Sequence, residues 1–388
     1  MYQLMSPSCF AWDDKMKVDL CFDTLSSGFV VCVFCIMKIM KKFFVLLLCL
    51  SASFGFNMAQ TCGKGIKVLQ LNLWGGTSKV SDGYQGFLDL LEEVDPDIVF
   101  LCEISGGQRF VHRVIQDMKQ RGKLYYGEAF DLAVGFLSKI HPEKVQKLCT
   151  VPGNEERTMV KFLVAAGGKE VAFYSCHLDH RHYECYMPRG YSGTTWKKID
   201  KPVTDEQAVL AANRLAYRDE SVAAFLEEAR KDIACGREVI IGGDFNEPSC
   251  LDWQDSTRHL WDHNGAVIHW DCSRMLLDAG FRDAYREKHP DPVRFPGFTF
   301  PAGNRHALDR LSWAPDADER DRIDFIYYYP ACSSLKLQKC VLVGPRETVL
   351  RGRIEENGSE DPIWVPACVW PSDHKGNLAI FAFAGCSR

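Results

Sequence analysis

Short apolar runs that end in polar, chemically active residues recur along this chain, and they constrain its fold more than any other feature. The clearest is Glu238-Val239-Ile240-Ile241, a β-branched run that predicts a buried strand and leads into Gly242-Gly243-Asp244-Phe245-Asn246. The two glycines permit a sharp turn, and strand alternation would place Asp244 and Asn246 on the same side. An Asx-turn that merely ends the strand explains this stretch, taken alone, equally well.

The same pattern returns in other parts of the chain. The run 98–102 leads into Glu103, and glutamate is rarely buried unless it is paired or bound to a metal, so Glu103 indicates a metal ligand. His177 follows another such run, although a lone histidine there is more often a core residue. The polar residues that end these runs, stand inside one or precede the last one are Asn72, Glu103, His177, Asp244, Asn246, Asp324, Asp373 and His374.

Helical periodicity alternates with these strands. It predicts helices over residues 84–94, 109–120 and 273–279, and one long helix from a capping box at Thr204 to about Ala234. Strands are expected at residues 66–71, 297–300, 322–329, 335–343 and 378–383. No internal repeat or linker interrupts residues 60–388, so we expect a single domain there.

The amino-terminal segment predicts export. Lys38, Lys41 and Lys42 precede an apolar run over residues 43–50, small residues follow, and Ala59 offers a cleavage point. We interpret residues 37–59 as a secretory signal peptide and residues 1–36 as an upstream mis-start. The apolar run is too short to span a membrane, so we expect a periplasmic or extracellular protein without a transmembrane segment in the mature chain.

Composition narrows the function further. The chain has 388 residues, of which 46% are hydrophobic, so it can bury a large core, and its net charge of −5 gives no broad basic face for duplex binding. Cys102 and Cys176 lie inside apolar runs and are expected to be buried thiols. The mature part has no C-x-x-C pair, which argues against a structural zinc.

Residues 181–203 interleave basic and aromatic side chains without any period. The set includes Arg181, Tyr191, Trp196 and Lys197. Such a mixture suits an anionic substrate that also has a stackable or sugar-like part. An ordered surface excursion explains the same composition equally well.

The candidate residues suit phosphate-ester hydrolysis. A set of carboxylates and amides with few sulfur ligands favours Mg²⁺, with Mn²⁺ or Ca²⁺ as alternatives. Two histidines with acidic partners suit proton transfer and charge stabilisation on phosphate. No Gly-x-Ser-x-Gly elbow is present, which disfavours acyl transfer.

Six stretches resemble, in order, the motifs of the endonuclease/exonuclease/phosphatase superfamily of metal-dependent phosphohydrolases. They are Leu71-Asn72-Leu73-Trp74, Leu101-Cys102-Glu103, Ser175-Cys176-His177-Leu178-Asp179, Gly243-Asp244-Phe245-Asn246, Arg322-Ile323-Asp324-Phe325-Ile326 and Ser372-Asp373-His374. The resemblance implies an α/β fold: a four-layer sandwich of two mixed β-sheets packed face to face and flanked by helices. It also implies direct in-line attack by water on phosphorus.

The resemblance implies roles for the individual residues. Glu103 resembles the principal Mg²⁺ ligand, with Asn72 and Asp373 at the metal. His374, oriented by Asp324, resembles the catalytic histidine, which takes the proton of the attacking water or balances the developing charge. Asp244 is the other candidate for the base. The remaining positions resemble phosphate-contacting groups: His177, Asn246 and, less specifically, Arg157.

The long 181–203 segment departs from a minimal family member and leaves the substrate open. The acidic charge favours a compact phosphodiester or phosphomonoester, such as a lipid head group, a sugar phosphate or a nucleotide, handled by a monomer. A non-specific secreted nuclease is the alternative, and a catalytically silent binding protein is the alternative of another class.

In this family the first and last strands pair antiparallel, so Cys62 and Cys386 are candidates for a disulfide.

Overall fold

Strands form where the sequence carries its apolar runs. A computed structural model describes residues 65–130, 134–151, 158–307, 311–330 and 334–383. Within these residues the strands are β1 (Ile66–Asn72), β2 (Ile98–Cys102), β3 (Tyr126–Phe130), β4 (Val134–Ser138), β5 (Lys144–Cys149), β6 (Thr158–Ala166), β7 (Lys169–His177), β8 (Glu238–Asp244), β9 (Arg282–Asp283), β10 (Asp324–Tyr329), β11 (Leu335–Val343), β12 (Glu347–Leu350), β13 (Arg353–Glu356), β14 (Ile363–Trp364) and β15 (Gly376–Phe383).

Helices occupy the segments whose apolar residues recur at helical spacing. In the described residues they are α1 (Gly83–Val94), α2 (Gln108–Gln120), α3 (Glu206–Asn213), α4 (Arg218–Ala234), α5 (Asp271–Asp278) and α6 (Ala284–Lys288), with a short 3₁₀ turn at Glu184–Tyr186. None of these helices combines the length and the hydropathy needed to cross a bilayer.

The strands form two large mixed sheets. The first has the order β14-β11-β15-β1-β2-β4-β3, and the second has the order β5-β6-β7-β8-β10-β9. A separate hairpin joins β12 to β13. The first and last strands of the domain pair antiparallel, with Ile66 opposite Phe381, as the family resemblance implies.

The two sheets pack face to face, and helices cover their outer faces. A continuous apolar core lies between the sheets, where the Phe136 and Phe162 rings stack 3.8 Å apart. A second core lies between the first sheet and α1 with α2. A third lies between the second sheet and α4 with α5. The four-layer α/β sandwich expected from the sequence is therefore confirmed.

Strand pairing brings the polar strand ends together. β1 and β2 run parallel, so Asn72 lies opposite Cys102 and one residue from Glu103. β7 and β8 also run parallel, with His177 opposite Asp244. β10 enters antiparallel to β8, so its first residue, Asp324, lies opposite Asp244. One mouth of the sandwich thus collects the side chains.

Two expected elements are wrong in detail. The long helix over residues 204–234 is broken into α3 and α4, and Asp205 rather than Thr204 caps α3 by accepting a hydrogen bond from the Ala208 N–H at 2.9 Å. The break follows from Arg218, whose buried guanidinium donates to the carbonyls of Asp179 at 2.6 Å and Asn213 at 3.2 Å. The expected strand at residues 297–300 forms only an isolated bridge between Phe300 and Asp321.

Two cysteines that were expected to be buried thiols are so in the part of the chain that the structure describes. Cys102 and Cys176 are buried and unpaired. The thiol of Cys102 donates to the carbonyl of Cys176 at 3.1 Å, across the two sheets. Cys62 and Cys386, the predicted disulfide pair, lie outside the described residues and stay a prediction.

Candidate active site

A buried histidine and a buried aspartate form the centre of the site. His374 lies just before β15, and its Nδ1 donates to Asp324 Oδ2 at 2.8 Å. The other oxygen of Asp324 accepts from the amide of Gln70 at 2.7 Å. Asn377 in turn donates to the side-chain oxygen of Gln70 at 3.2 Å and to the Asp324 carbonyl at 3.0 Å. Because a carboxylate can only accept, the imidazole must carry a proton on Nδ1, and its Nε2 is left for the pocket.

Asn72 connects two carboxylates. Its Nδ2 donates to Glu103 Oε1 at 3.0 Å and to Asp244 Oδ2 at 2.9 Å, while its Oδ1 accepts from the Trp74 N–H. The side-chain oxygen of Asn72 therefore uses one of its two lone pairs to accept from the backbone. In this orientation Asn72 positions Glu103 and Asp244, and its predicted place at the metal stays a prediction.

Asp244, Asn246 and His177 form the opposite side of the site. Asp244 Oδ1 accepts from the Asn246 N–H at 2.8 Å, which is the Asx-turn that the sequence left open, and the turn coexists with the site. Asn246 Nδ2 lies 3.1 Å from His177 Nε2. The same His177 nitrogen lies 3.9 Å from Glu103 Oε1 and 3.7 Å from Asp244 Oδ2.

Burial and neighbouring charges shift the acidity of these groups. Burial and the nearby Asp324 raise the pKa of Asp244 to about 6, against the opposing effect of His374 and His177. Burial likewise raises the pKa of Asp373 to about 7. Burial alone would raise the pKa of Glu103, but the adjacent histidines and the Asn72 hydrogen bond outweigh it and hold this pKa below its ordinary value.

His374 responds in the opposite sense. Burial by itself would lower the pKa of the imidazole. The contact with Asp324, together with the nearby Asp373 and Asp244, outweighs burial and raises the pKa of His374 well above its ordinary value. The raised pKa favours the protonated ring, in which Nδ1 donates to Asp324 and Nε2 can donate as well.

The donor set fits a hard divalent cation. The potential ligand atoms of Glu103, His177 and Asp244 all lie within 4.8 Å of one another. The Glu103 side chain is 34% exposed to the pocket, and its lowered pKa keeps it ionised. The thiols of Cys102 and Cys176 are hydrogen-bonded to backbone carbonyls instead. The carboxylate oxygens of Glu103 and Asp244 suit Mg²⁺ or Mn²⁺ better than a thiophilic metal.

These groups line a pocket of about 180 Å³. Its floor holds Glu103, Asp244, Asn246, Asp373 and His374. Its walls are largely apolar and come from segments far apart in the sequence: Trp74, His180, Tyr183, Trp196, Phe300, Trp313 and Ile323.

The 181–203 segment contributes aromatic rings to the pocket, while the basic side chains predicted from it lie elsewhere. Trp196 lines the pocket as predicted. Arg181 instead binds the buried carboxylate of Asp179, with Nε–Oδ1 at 3.0 Å and Nη2–Oδ2 at 2.8 Å. Tyr191 is buried within the segment and Lys197 is exposed to solvent. Arg157 lies outside the described residues.

Two side chains at the site were not predicted from the sequence. Gln70 had a visible signal, since it is an amide within the apolar run of β1, and it is fully buried against Asp324. Trp313 had none, because its neighbour Trp196 is distant in the sequence and only the fold brings them together.

Comparison with known proteins finds a matching family and one similar sequence. The sequence profile of the Endonuclease/Exonuclease/phosphatase family matches residues 69–374. An uncharacterized protein of Caenorhabditis elegans is 25% identical over 293 residues, which cover 74% of this chain and 84% of that protein.

Solved structures of similar proteins include two of TDP2. The Danio rerio (D. rerio) TDP2 complexed with single strand DNA product is 17% identical with a TM-score of 0.47, covering 82% of this chain and 98% of that one. Truncated Caenorhabditis elegans TDP2 is 19% identical with a TM-score of 0.47, covering 82% and 97%. The human Nocturnin catalytic domain with bound sulfate is 14% identical with a TM-score of 0.48, covering 83% and 94%.

The family match extends from β1 to His374 and so includes every residue of the site floor. The chain belongs to the endonuclease/exonuclease/phosphatase family.

Proposed function

We propose that the protein is a divalent-metal-dependent phosphoric ester hydrolase that uses direct attack by water. The observation that carries this proposal is the His374–Asp324 pair, which directs a charged imidazole nitrogen at a pocket floored by Glu103, Asp244 and Asp373. The carboxylates provide a site for the cation, and the imidazole stabilises negative charge on the phosphate. These are two requirements of phosphate-ester cleavage.

Glu103 and Asp373 both line the pocket, and the family resemblance makes them the side chains that would hold the cation, with His177 and Asp244 close to Glu103. When bound, Mg²⁺ neutralises charge on phosphate oxygens as a Lewis acid. Asn246 lines the pocket and its Nδ2 lies 3.1 Å from His177 Nε2, and these two groups would orient the phosphate group. This role for the pair follows the family resemblance and agrees with their position beside Glu103.

The proton of the attacking water goes to Asp244 in this proposal. The sequence analysis favoured His374 as the base and kept Asp244 as its rival. The raised pKa of His374 favours a ring that already carries both protons and so cannot accept another, whereas a carboxylate with a pKa of about 6 accepts one near neutral pH. His374 then stabilises the negative charge that develops on the phosphoryl oxygens, and no covalent intermediate forms.

We also infer that the protein is exported. The support is the basic, apolar and small-residue order of residues 37–59. The eight unpaired cysteines of the described residues include five that are buried, where oxidants do not reach them readily. Export and buried free thiols are therefore compatible.

Hydrolysis should depend on added metal. Purified protein is assayed on bis-p-nitrophenyl phosphate, p-nitrophenyl phosphate, DNA, sphingomyelin and inositol phosphates, with Mg²⁺, Mn²⁺, Ca²⁺ or EDTA. We expect turnover of at least one ester with Mg²⁺ or Mn²⁺ and none with EDTA, because the pocket floor carries three carboxylates that repel an unneutralised phosphate. Turnover that persists in EDTA, or none on any ester, would contradict the proposal.

Removing the pocket-facing nitrogen of His374 should slow the chemical step. His374→Asn keeps an amide N–H that can donate to Asp324, so the buried carboxylate stays satisfied, but it lacks Nε2. We expect kcat to fall about a hundredfold or more while the Mg²⁺ concentration for half-maximal activity changes little.

The matched control is His269→Asn, which changes an exposed histidine paired with Glu206 away from the pocket. It should retain wild-type kcat. A His374→Asn enzyme with near-normal kcat at saturating Mg²⁺ would show that His374 has no part in the chemical step.

Peptide mapping without reduction tests export and the predicted disulfide together. The secreted protein should begin near residue 60 and yield one peptide that links Cys62 to Cys386. Cys235 is an exposed free cysteine and should label with a thiol reagent in the same sample, which makes it the internal control. An intact amino terminus in the cell fraction would refute export, and free thiols at both positions would refute the bridge.

A further inference from the structure

One wall of the pocket is a pair of stacked tryptophans. The rings of Trp196 and Trp313 lie 5.4 Å apart at an interplanar angle of 28°. Both line the pocket, as do Trp74 and Tyr183. Trp313 is 44% exposed, which is unusual for so large an apolar side chain next to catalytic groups. Exposed aromatic surface of this kind indicates a face that a ligand covers.

A buried carboxylate holds this wall in place. Glu319 is 2% exposed and accepts hydrogen bonds from the Tyr186 hydroxyl at 2.6 Å and from the Trp313 N–H at 2.8 Å. The Tyr186 ring packs edge-on against Trp196 at 4.9 Å. Glu319 therefore ties the 181–203 segment to the loop that carries Trp313. A wall held in this way needs no ordering when a ligand binds.

The charge of the pocket limits what else the ligand can carry. Three carboxylates line it, and no lysine or arginine does so among the described residues. A bound cation offsets one phosphate group, but further phosphates would meet these carboxylates without a partner.

We propose that the Trp196–Trp313 wall makes this a site for small esters that carry one phosphate and a flat ring, of which a nucleoside monophosphate is the simplest example. The proposal rests on the proposed phosphoesterase function of the same pocket and deepens it. The ring stacks on the tryptophan wall while the phosphate reaches the floor at Glu103 and His374. Stacking of one base on an aromatic side chain changes affinity by about tenfold or more.

AMP and ribose 5-phosphate form a matched pair of probes, because they share the same phosphate and sugar and differ in the base. Each is tested as a competitive inhibitor of generic p-nitrophenyl ester hydrolysis, in the presence of Mg²⁺. We expect the inhibition constant of AMP to be at least about tenfold lower than that of ribose 5-phosphate. ADP should bind no more tightly than AMP, since no lysine or arginine of the described residues lines the pocket to meet its second phosphate.

Trp313→Ala should remove the advantage of AMP and leave the inhibition constant of ribose 5-phosphate unchanged. Tyr186→Phe keeps the ring but removes the hydroxyl that binds Glu319, so it should reduce the advantage of AMP in part. Trp364→Ala is the control, because Trp364 is another partly exposed tryptophan that does not line the pocket. It should behave as wild type.

Equal inhibition by AMP and ribose 5-phosphate in the wild type would overturn the proposal. So would a Trp313→Ala protein that loses affinity for both probes alike, or ADP that binds tenfold more tightly than AMP. If the wild type hydrolyses no ester, the proposed function fails instead. The dissociation constants of the two probes, measured by calorimetry with Mg²⁺, then still decide whether the wall selects a ring.

Discussion

Asp324 is a fully buried carboxylate, and the arrangement of the whole site depends on its being satisfied. It begins β10 in the second sheet, yet both its side-chain partners, Gln70 and His374, belong to the first sheet or to the loop before β15. An unpaired buried charge would cost several kcal/mol, so the two sheets can close only in the register that brings these groups together. Asn72 repeats the device by joining Glu103 to Asp244 across the same mouth.

This polar layer lies at the end of an otherwise apolar interface. Beneath it, the core between the sheets is built from aliphatic and aromatic side chains, among them Phe100 and Phe173 at 6.1 Å. The apolar core supplies most of the free energy of folding, while the polar layer determines the positions of the candidate site residues. The raised pKa of His374 is one consequence, because Asp324 favours the protonated imidazole against the effect of burial.

Much of this arrangement was predictable from local sequence. Apolar runs locate strands, and a carboxylate such as Glu103 at the end of a run has no structural reason to be there, so the floor of the site was visible residue by residue. The Asn72 orientation was not, because it depends on which backbone N–H its oxygen meets. The break between α3 and α4 and the Trp196–Trp313 pair were also hidden, since Arg218 and Trp313 act on segments that only the tertiary fold brings near.

In the proposed function, Glu103 anchors a catalytic cation at this mouth. Comparing metal binding by the wild type and by the Glu103→Gln variant tests this role most directly. Glutamine preserves the size of the side chain and can still contact Asn72, so the fold should persist with unchanged thermal unfolding. Calorimetric titration should show Mg²⁺ or Mn²⁺ binding to the wild type and a loss of affinity of at least about tenfold in the variant, because one anionic ligand is lost. Equal affinity in the two proteins would place the cation elsewhere and contradict this account.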